Sequence, residues 1–318
     1  MPWPWRKPNR PNPSAPRAEP PLFHPEFLRK LDRVQLVVPR PTALREGAQR
    51  ARGALAPYGF EVHGFRPYTW GDDLRYLDWN AYARTDELLL RVFRAERESA
   101  TYLLLDTSAS MDVSVRSGVS AFSFSRQLIA SLAYICLRRH EPVMIGLLGG
   151  GASSCRRSPV WRHRRQALEA ARFVEAVRPS GRVDLRLALE SFLSQPLVPG
   201  VSIVLSDFYY PVEEVSRALA LLAARRLAVV ALQILPRSHF EWDWPSGVLT
   251  VRDAETNEER TLAWDSATRA RYREVLVHHQ AELRDSCHRH GFYYVHVDPD
   301  AGLDSCLFGA LVHAGIVG

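Results

Sequence analysis

The sequence contains only two lysines, Lys7 and Lys30, among its 318 residues, and both precede the region that is rich in predicted strands. Without a lysine in that region, the chain cannot form a Schiff base there and lacks both the Walker lysine of nucleoside triphosphatases and the stabilising ammonium of a phosphatase. The glycine patterns GxxxxGK and GxGxxG, which bind nucleotide phosphates, are also missing. These absences argue against ATP hydrolysis and dinucleotide chemistry by this chain alone.

Cysteine is also scarce, and no CxxC pair is present, so neither a disulfide framework nor a zinc knuckle is indicated. The four cysteines are Cys136, Cys155, Cys287 and Cys306. The longest apolar stretch, residues 217–235, is interrupted by Arg225 and Arg226 and falls short of the ~20 uninterrupted residues that a membrane span needs. The N-terminal segment has no apolar core of the signal-peptide type. We therefore expect a cytoplasmic protein without a membrane span.

The positive net charge of +6 comes in large part from the N-terminal tail and not from a basic stripe. The charged residues of that tail are Arg6, Lys7, Arg10 and Arg17, against Glu19. Elsewhere acidic and basic residues are mixed. This distribution argues against nucleic acid as the partner, although DNA binding through the arginine-rich surface stays open as an alternative function.

Composition divides the chain into three parts. Residues 1–22 carry proline at nearly every third position, which favours extended backbone and predicts a disordered lead. Residues 23–100 predict a short helix followed by a small β-rich module with period-two stretches. Residues 101–318 predict an α/β domain with a hairpin insertion over residues 245–264.

In the predicted α/β domain, apolar strand segments alternate with helical patterns. The predicted strands cover residues 101–106, 142–148, 201–206, 227–234 and 292–297, and the predicted helices lie near 120–139, 163–177, 184–195, 212–226 and 266–289. Strands that alternate with helices indicate a doubly wound, mostly parallel sheet that is covered on both faces.

Two of the predicted strands end in acidic residues. Asp106 ends the first strand in the stretch TYLLLDTSASM, and Ser108 and Ser110 follow at alternate positions. The strand in VSIVLSDF delivers Asp207 to the same edge, because the carboxyl ends of parallel strands lie together. Carboxylates and hydroxyls form an all-oxygen set that suits a hard cation such as Mg²⁺. Hydroxyls ligate without adding negative charge, so a site with one or two carboxylates leaves the charge of the ion incompletely neutralised and one coordination position open. A partner's carboxylate would be attracted to that position.

These motifs resemble those of two known families. The stretch DTSAS, with Asp106, Ser108 and Ser110, is similar to the metal-ion-dependent adhesion site of von Willebrand factor A domains, and Asp207 matches its distal carboxylate. The preceding segment resembles the signature RxYxxGDDxRxIDWxxxARTxxLxVRxFxxE of domain-of-unknown-function family 58. The matching positions are Arg66, Tyr68, Gly71, Asp72, Asp73, Arg75, Asp78, Trp79, Ala83, Arg84, Thr85, Leu88, Arg91, Phe93 and Glu96.

The resemblance implies a von Willebrand factor A-like fold and a non-enzymatic adaptor that binds proteins through a divalent cation. It also implies a MoxR-type AAA+ ATPase as partner, in a chaperone-like or assembly complex that acts on an unknown protein cargo. One position departs from the family pattern GGTD, in which the threonine is a further ligand: the run here is GRVD, with Val183 in its place. Valine cannot coordinate, so Asp184 is the candidate compensating ligand, directly or through water. Weak binding and loss of the ion are the alternatives.

Each motif also has another interpretation. The hydroxyls after Asp106 are also consistent with a helix cap or a closed turn. Asp106 at a strand end also suits the nucleophile of a Mg²⁺-dependent phosphohydrolase, but that layout needs a second Asp where Ser108 stands and a distant lysine. The charged and aromatic residues of the upstream signature predict a structural role in attaching the β-rich module, with a docking face for a partner as the alternative.

Overall fold

The N-terminal part of the chain forms a helix and a two-stranded antiparallel sheet. The computed structural model describes residues 25–39, 61–94, 99–112, 120–151, 154–240 and 246–318. Helix α1 spans Pro25–Leu31, and strand β1 (Glu61–Pro67) pairs with strand β2 (Leu89–Arg94), with helix α2 (Trp79–Thr85) between them in sequence. The disordered lead predicted for residues 1–22 lies outside the described residues.

Ion pairs hold the β-rich module together. The guanidinium of Arg66 donates to both carboxylate oxygens of Asp72 at 2.7 and 2.6 Å, which holds the pKa of Asp72 well below its usual range. Asp78 caps α2 by accepting from the backbone N–H of Asn80 at 3.0 Å, and its other oxygen accepts from Arg91 Nε at 3.2 Å. Arg66, Asp72, Asp78 and Arg91 of the upstream signature therefore pair within the module itself.

Several aromatic side chains of the same module face solvent. Trp70 is 98% exposed, Trp79 is 62% exposed and Tyr82 is 38% exposed. Side chains this exposed do not attach one part of the fold to another by burial, so the structural role of the signature rests on its ion pairs. The alternative of a docking face for a partner stays a prediction.

The remainder of the chain alternates helices with strands. In chain order the elements are β3 (Ala100–Asp106), α3 (Ala121–Arg138), β4 (Val143–Leu148), β5 (Cys155–Arg157), α4 (Ala167–Glu175), α5 (Leu185–Phe192), β6 (Gly200–Ser206), α6 (Val212–Ala224), β7 (Leu227–Ile234), β8 (Gly247–Arg252), β9 (Glu259–Trp264), α7 (Ser266–Arg289) and β10 (Tyr293–Val297).

Six of these strands form the central sheet in the order β10-β7-β6-β3-β4-β5. All neighbours are parallel except β5, which runs antiparallel to β4 at one edge. Every residue of β3, β4 and β6 is buried, as expected for strands that read as continuous apolar runs because helices cover both faces of the sheet. The predicted fold class, a mostly parallel doubly wound sheet preceded by a small β-rich module, is confirmed.

The sheet separates two hydrophobic cores. Leu103 and Leu105 of β3 pack on one side with α3, whereas Leu104 packs on the other side with Phe192 of α5, because successive side chains of a strand point to opposite faces. Leu31 of α1 is fully buried in the first of these cores. Helix α1 therefore packs with the core of the α/β domain, although it precedes the β-rich module in sequence.

The hairpin formed by β8 and β9 is separate from the central sheet and lies between β7 and α7 in sequence. Its strands begin and end within the predicted insertion, residues 245–264. The turn is closed by Asp253, whose Oδ1 accepts from the backbone N–H of Glu255 at 2.8 Å and of Thr256 at 2.9 Å. Asn257 adopts a left-handed conformation with φ of +60°, which completes the reversal.

Two features differ from the sequence-based expectation. Strand β5 has no apolar run, because two of its three residues are Arg156 and Arg157, so nothing in the pattern predicts it. Helix α4 begins at Ala167 and not near 163, because residues 164–166 form a 3-10 turn. Gln166 stabilises that turn by accepting hydrogen bonds from backbone N–H groups just before it.

Candidate functional site

The candidate site lies where the winding of the sheet reverses direction. From β3 the chain crosses through α3 to β4 on one side, and it later returns to β6 on the other side of β3. The loops that follow β3 and β6 therefore diverge and leave a crevice at the carboxyl ends of the two strands, where α/β sheets bind ligands. Asp106 is the last residue of β3, and Asp207 directly follows β6.

The carboxylate of Asp106 is fully buried and hydrogen-bonded through both oxygens. Its Oδ1 accepts from the backbone N–H of Ser108 at 2.9 Å. Its Oδ2 accepts from the hydroxyl of Ser206 at 2.7 Å and from the hydroxyl of Tyr210 at 3.2 Å. Burial raises the pKa of Asp106, and these hydrogen bonds oppose that rise. The network fixes the orientation of the carboxylate at the strand end.

The two predicted hydroxyl ligands lie side by side. The Oγ atoms of Ser108 and Ser110 are 2.9 Å apart, with Ser108 fully buried and Ser110 half-buried at the rim. A 3-10 turn over Ala109–Asp112 gives this spacing, and the backbone N–H of Ala109 anchors it by donating to the carbonyl oxygen of Gly181 at 2.9 Å. The structure thus brings Asp106, Ser108 and Ser110 together as predicted.

The second carboxylate, Asp207, is buried without full hydrogen bonding. Its Oδ1 accepts from the backbone N–H of Tyr209 at 3.2 Å, whereas Oδ2 is buried and has no hydrogen-bond partner among the described residues. Burial, and then the charge of Asp106, raises the pKa of Asp207 to about 7, while the nearby Ser110 hydroxyl lowers it. A buried oxygen of this kind is costly unless a partner satisfies it.

The loop after β6 contains a strained residue, Phe208, directly after Asp207. Phe208 has φ of +53°, which is uncommon for a residue with a bulky side chain. Its backbone N–H donates to Ser206 Oγ at 3.0 Å, and its carbonyl oxygen lies 2.9 Å from His279 Nε2. Gln233 Nε2 donates to the carbonyl oxygen of Asp207 at 3.0 Å. These contacts offset the strain and keep Asp207 beside Asp106.

Val183 and Asp184 stand where the family pattern GGTD has threonine and aspartate. Val183 is 1% exposed and packs in the hydrophobic core, so its side chain offers no oxygen to the site. Asp184 is exposed and caps α5, where its Oδ1 accepts from the backbone N–H of Leu187 at 2.9 Å. The structure therefore gives Asp184 a local helix-capping contact, and its role as a cation ligand stays a prediction.

Three residues of the site were absent from the predicted ligand set. Ser206 and Tyr210 both donate to Asp106. They stand at and just after the end of an apolar strand, in the motif SDFYY, and this position is the signal that could have identified them. Glu255 reaches the rim from the turn of the hairpin, where it lies 3.9 Å from Arg182. No local pattern predicts that contact, because the hairpin and the loop at 180 meet only in the folded chain.

The donor set fits a hard divalent cation. The charge of Asp106 raises the pKa of Asp207, and no basic side chain is among the largest influences on the pKa of either carboxylate. Two buried carboxylates with neighbouring hydroxyls provide the oxygen ligands that Mg²⁺ prefers. No group of three or more His, Cys, Asp or Glu side chains in the described part of the chain is arranged to share a metal ion. Any cation here would rely on hydroxyls and water for its remaining ligands.

Comparisons with known proteins identify a family match. Residues 64–282 match the family model described as "Protein of unknown function DUF58". Two curated relatives are the uncharacterized proteins Rv1480 of Mycobacterium tuberculosis and Mb1516 of Mycobacterium bovis. Each is 28% identical to this chain over 235 residues, which cover 73% of this chain and 72% of the relative.

The solved structures that match this chain include three at low sequence identity. BatB from Bacteroides thetaiotaomicron is 18% identical with a TM-score of 0.38, covering 65% of this chain and 93% of that chain. An aerotolerance-related membrane protein from Bacteroides fragilis is 16% identical with a TM-score of 0.37, covering 68% and 99%. The SpRpn10 VWA domain is 12% identical with a TM-score of 0.32, covering 42% and 74%. Within the described residues of this chain, no helix has the length and apolar character needed to cross a membrane.

Proposed function

This chain belongs to the DUF58 family, and we propose that it is a cytoplasmic, non-enzymatic adaptor that binds proteins through a divalent cation held at the ends of β3 and β6. One observation carries the proposal: Asp207 Oδ2 is buried, lacks a hydrogen-bond partner among the described residues and belongs to a carboxylate next to buried Asp106. A cation would satisfy that oxygen and compensate the charges of both carboxylates.

Asp106, Asp207, Ser108 and Ser110 are the proposed ligands, and the chemistry that the ion would supply is electrostatic attraction of an anion. The serine hydroxyls ligate without adding negative charge, so the two carboxylates do no more than balance one divalent ion, which keeps an open coordination position. Buried surroundings strengthen the attraction between such an ion and an incoming carboxylate. An acidic side chain of a partner protein is therefore the group that the site would recognise.

The proposed partner system is a MoxR-type AAA+ ATPase, as implied by the resemblance to family 58, together with a protein cargo. The absence of lysine after Lys30 supports a division of labour in which the partner hydrolyses ATP. Exposed Trp70 and Trp79 in the β-rich module give a second face that such a complex could cover.

Phosphate hydrolysis by Asp106 is the weaker alternative. That chemistry needs a second Asp where Ser108 stands and a distant lysine, and the chain has no lysine after Lys30. The side chain of Asp106 is also fully buried. A broad phosphatase panel tests this alternative, because it requires turnover by the wild type that is lost on Asp106→Asn.

Calorimetric titration with Mg²⁺, Mn²⁺ and Ca²⁺ tests the proposal. The wild type is expected to bind one ion, and Asp106→Ala and Asp207→Asn are expected to abolish binding. Asp112→Asn is the matched control, because Asp112 lies in the same loop but is exposed. Circular dichroism of each variant checks the fold, and Asp207→Asn is the milder change, because Asp207 Oδ2 has no described partner to lose.

Capture of the ATPase completes the test. Wild type and Asp112→Asn are expected to retain a co-expressed MoxR-type ATPase or cargo in Mg²⁺ and to release it in chelator. Folded Asp207→Asn is expected to retain neither. Equal capture by all three proteins, or capture that chelator does not reduce, would contradict a cation-dependent adaptor.

A further inference from the structure

Strand β5 lies at one end of the central sheet, and among the described strands only β4 pairs with it. The carbonyl oxygen of Ser154 accepts from the backbone N–H of the residue directly after β4 at 2.9 Å, and the N–H of Ser158 donates to a carbonyl oxygen of β4 at 2.8 Å. Hydrogen-bonded positions alternate along antiparallel strands, so Ser154, Arg156 and Ser158 face β4. The backbone N–H and C=O groups of Cys155 and Arg157 therefore point away from the sheet.

Two arginine side chains flank this free edge, one on each face of the sheet. The guanidinium of Arg156 lies 4.6 Å from the ring centre of Phe173 on the α4 side. The guanidinium of Arg157 lies 5.1 Å from the ring centre of Phe192 on the α5 side, and its Nη1 donates to the carbonyl oxygen of Phe192 at 3.1 Å. Successive side chains of a strand point to opposite faces, and contact with an aromatic ring holds each cation in place.

The positive charge of this edge is not compensated locally. Among the described residues, neither arginine of β5 forms an ion pair with a carboxylate, whereas Arg186 of the adjacent helix α5 pairs with Glu190 at 2.9 Å. Helix α4, on the other face, carries both signs, with Arg172 beside Glu169 and Glu175. The excess of positive charge is therefore concentrated on the edge strand itself.

The edge is suited to some occupants and unsuited to others. Pairing of two copies of the chain through β5 would bring arginines of like charge together across the new strand pair. Nucleic acid is bound by basic grooves with aromatic faces open for stacking, but Trp161 is 3% exposed and Phe173 lies half-buried beneath Arg156. An acidic polypeptide complements both the charge and the free backbone groups.

We propose that the free edge of β5 binds an extended acidic segment of a partner protein as an additional strand of the sheet. Main-chain hydrogen bonds would supply affinity, and side chains would supply specificity. Because Arg156 and Arg157 lie on opposite faces, the segment recognised has two consecutive acidic residues, one beside each arginine. Pro159 has no N–H and limits the added strand to a short stretch. This surface lies on a different strand from Asp106 and does not use the proposed cation.

Titration of the intact chain with a peptide, followed in ¹H–¹⁵N correlation spectra, tests the proposal. Chelator is present throughout, so that no divalent cation contributes. The probe is acetyl-TVEDVT-amide, and acetyl-TVQNVT-amide is the neutral control. The acidic peptide is expected to shift the amide signals of Cys155 and Arg157, and the neutral peptide is expected to bind at least about tenfold more weakly.

Backbone methylation of the probe tests strand addition separately from charge. Neighbouring residues of a strand direct their N–H groups to opposite edges. Of two acidic peptides, one N-methylated at Glu and the other at Asp, one is therefore expected to lose binding and the other to retain it. Equal effects of the two methylations would overturn the added strand.

Arg156→Glu is the decisive variant, because the Arg156 side chain has no described hydrogen bond to lose and only its contact with Phe173 is removed. It is expected to weaken binding of the acidic peptide by about tenfold. Arg172→Glu makes the same change of charge on the neighbouring helix and is expected to stay within about twofold of the wild type. Circular dichroism confirms the fold of both variants.

The remaining outcomes count against the proposal. An acidic peptide that leaves the amides of Cys155 and Arg157 unshifted, or that binds no better than the neutral peptide, overturns it. Equal weakening by Arg156→Glu and Arg172→Glu overturns the assignment to the edge, because it indicates a general charge effect. Tighter binding of a short oligothymidine than of the acidic peptide identifies the occupant as nucleic acid and overturns the protein segment.

Discussion

The hydroxyl of Ser206 donates a 2.7 Å hydrogen bond to Asp106 Oδ2 and thereby joins the carboxyl ends of two neighbouring strands. This bond, with those from Ser108 and Tyr210, leaves Asp106 well satisfied. Asp207, one residue beyond Ser206, has a buried oxygen without such a partner among the described residues. The two carboxylates of the site therefore differ in a way that separate substitutions can reveal.

Without added cation, the charge on Asp207 is expected to destabilise the fold as the pH rises. Its folded-state pKa of about 7 lies above the ordinary value near 4, so the fold favours the protonated form. The stability that this provides is complete below pH 4 and is lost as the pH rises through about 7. The free energy of unfolding, measured by urea denaturation in chelator, is expected to be lower at pH 8 than at pH 5.5 by about 2 kcal/mol through this group.

The variant Asp207→Asn provides the comparison for that prediction. An amide does not titrate, so the difference between the two pH values is expected to shrink by about 2 kcal/mol relative to the wild type. Asp112→Asn is expected to retain the wild-type dependence, because Asp112 is exposed. Parallel pH profiles for wild type and Asp207→Asn would show that Asp207 carries no raised pKa.

Tyr210→Phe is expected to lower the free energy of unfolding by about 1 kcal/mol, the usual contribution of one buried hydrogen bond. The change removes the 3.2 Å hydrogen bond to Asp106 Oδ2 and leaves those from Ser206 and Ser108. Urea denaturation at pH 7 measures the effect. Tyr82→Phe, in the exposed part of the β-rich module, serves as the control and is expected to change stability by less than about 0.5 kcal/mol.

Val183→Thr tests the departure from the family pattern. The position is 1% exposed, so a hydroxyl placed there without a partner is expected to cost about 1 to 3 kcal/mol in chelator. Added Mg²⁺ is expected to restore part of that loss if the threonine acts as the further ligand that the resemblance implies. Val183→Ala is the control, because it loses packing but supplies no oxygen. Recovery of both variants, or of neither, would argue against a ligand role at this position.

Gly149→Ala is expected to destabilise the loop beside the site. A Cβ at Gly149 would lie 2.1 Å from Thr107 Oγ1, and the backbone φ of +135° is unfavourable for any other residue. Gly150 has φ of +94° but its nearest neighbour atom would be 3.6 Å away. Gly149→Ala is therefore expected to lose about 1 to 3 kcal/mol more than Gly150→Ala, since only the former adds a steric clash. Thermal unfolding of the two variants checks this difference.

The sequence was sufficient to predict the five parallel strands of the sheet and the meeting of Asp106 with Ser108 and Ser110. Fully buried strands appear in a sequence as continuous apolar runs. Because parallel strands end at the same edge of a sheet, the polar residues that follow those runs are predicted to lie together. Asp184 shows the limit of this reasoning. An acidic residue before a helix is equally suited to cap that helix, and its contact with the backbone N–H of Leu187 is a local interaction of this kind.

Contacts that form only in the folded chain could not be predicted from the sequence. Glu255 lies on an insertion whose pattern predicts a hairpin but carries no information about where the hairpin docks. The edge strand β5 consists of three residues with two arginines, and it pairs because β4 offers a free edge, not because of its own composition. Arg182 likewise belongs to no recognisable sequence pattern, and only the folded structure shows its contact with Glu255.

The attachment of the hairpin has a consequence for how this family can diversify. Strands β8 and β9 pair with each other and, among the described residues, with no strand of the central sheet. Insertions, deletions or replacements between β7 and α7 can therefore accumulate over evolution without disturbing the register that brings Asp106 and Asp207 together. Related chains could in this way inherit the edge that carries Asp106 and Asp207 and differ from one another in the segment between β7 and α7.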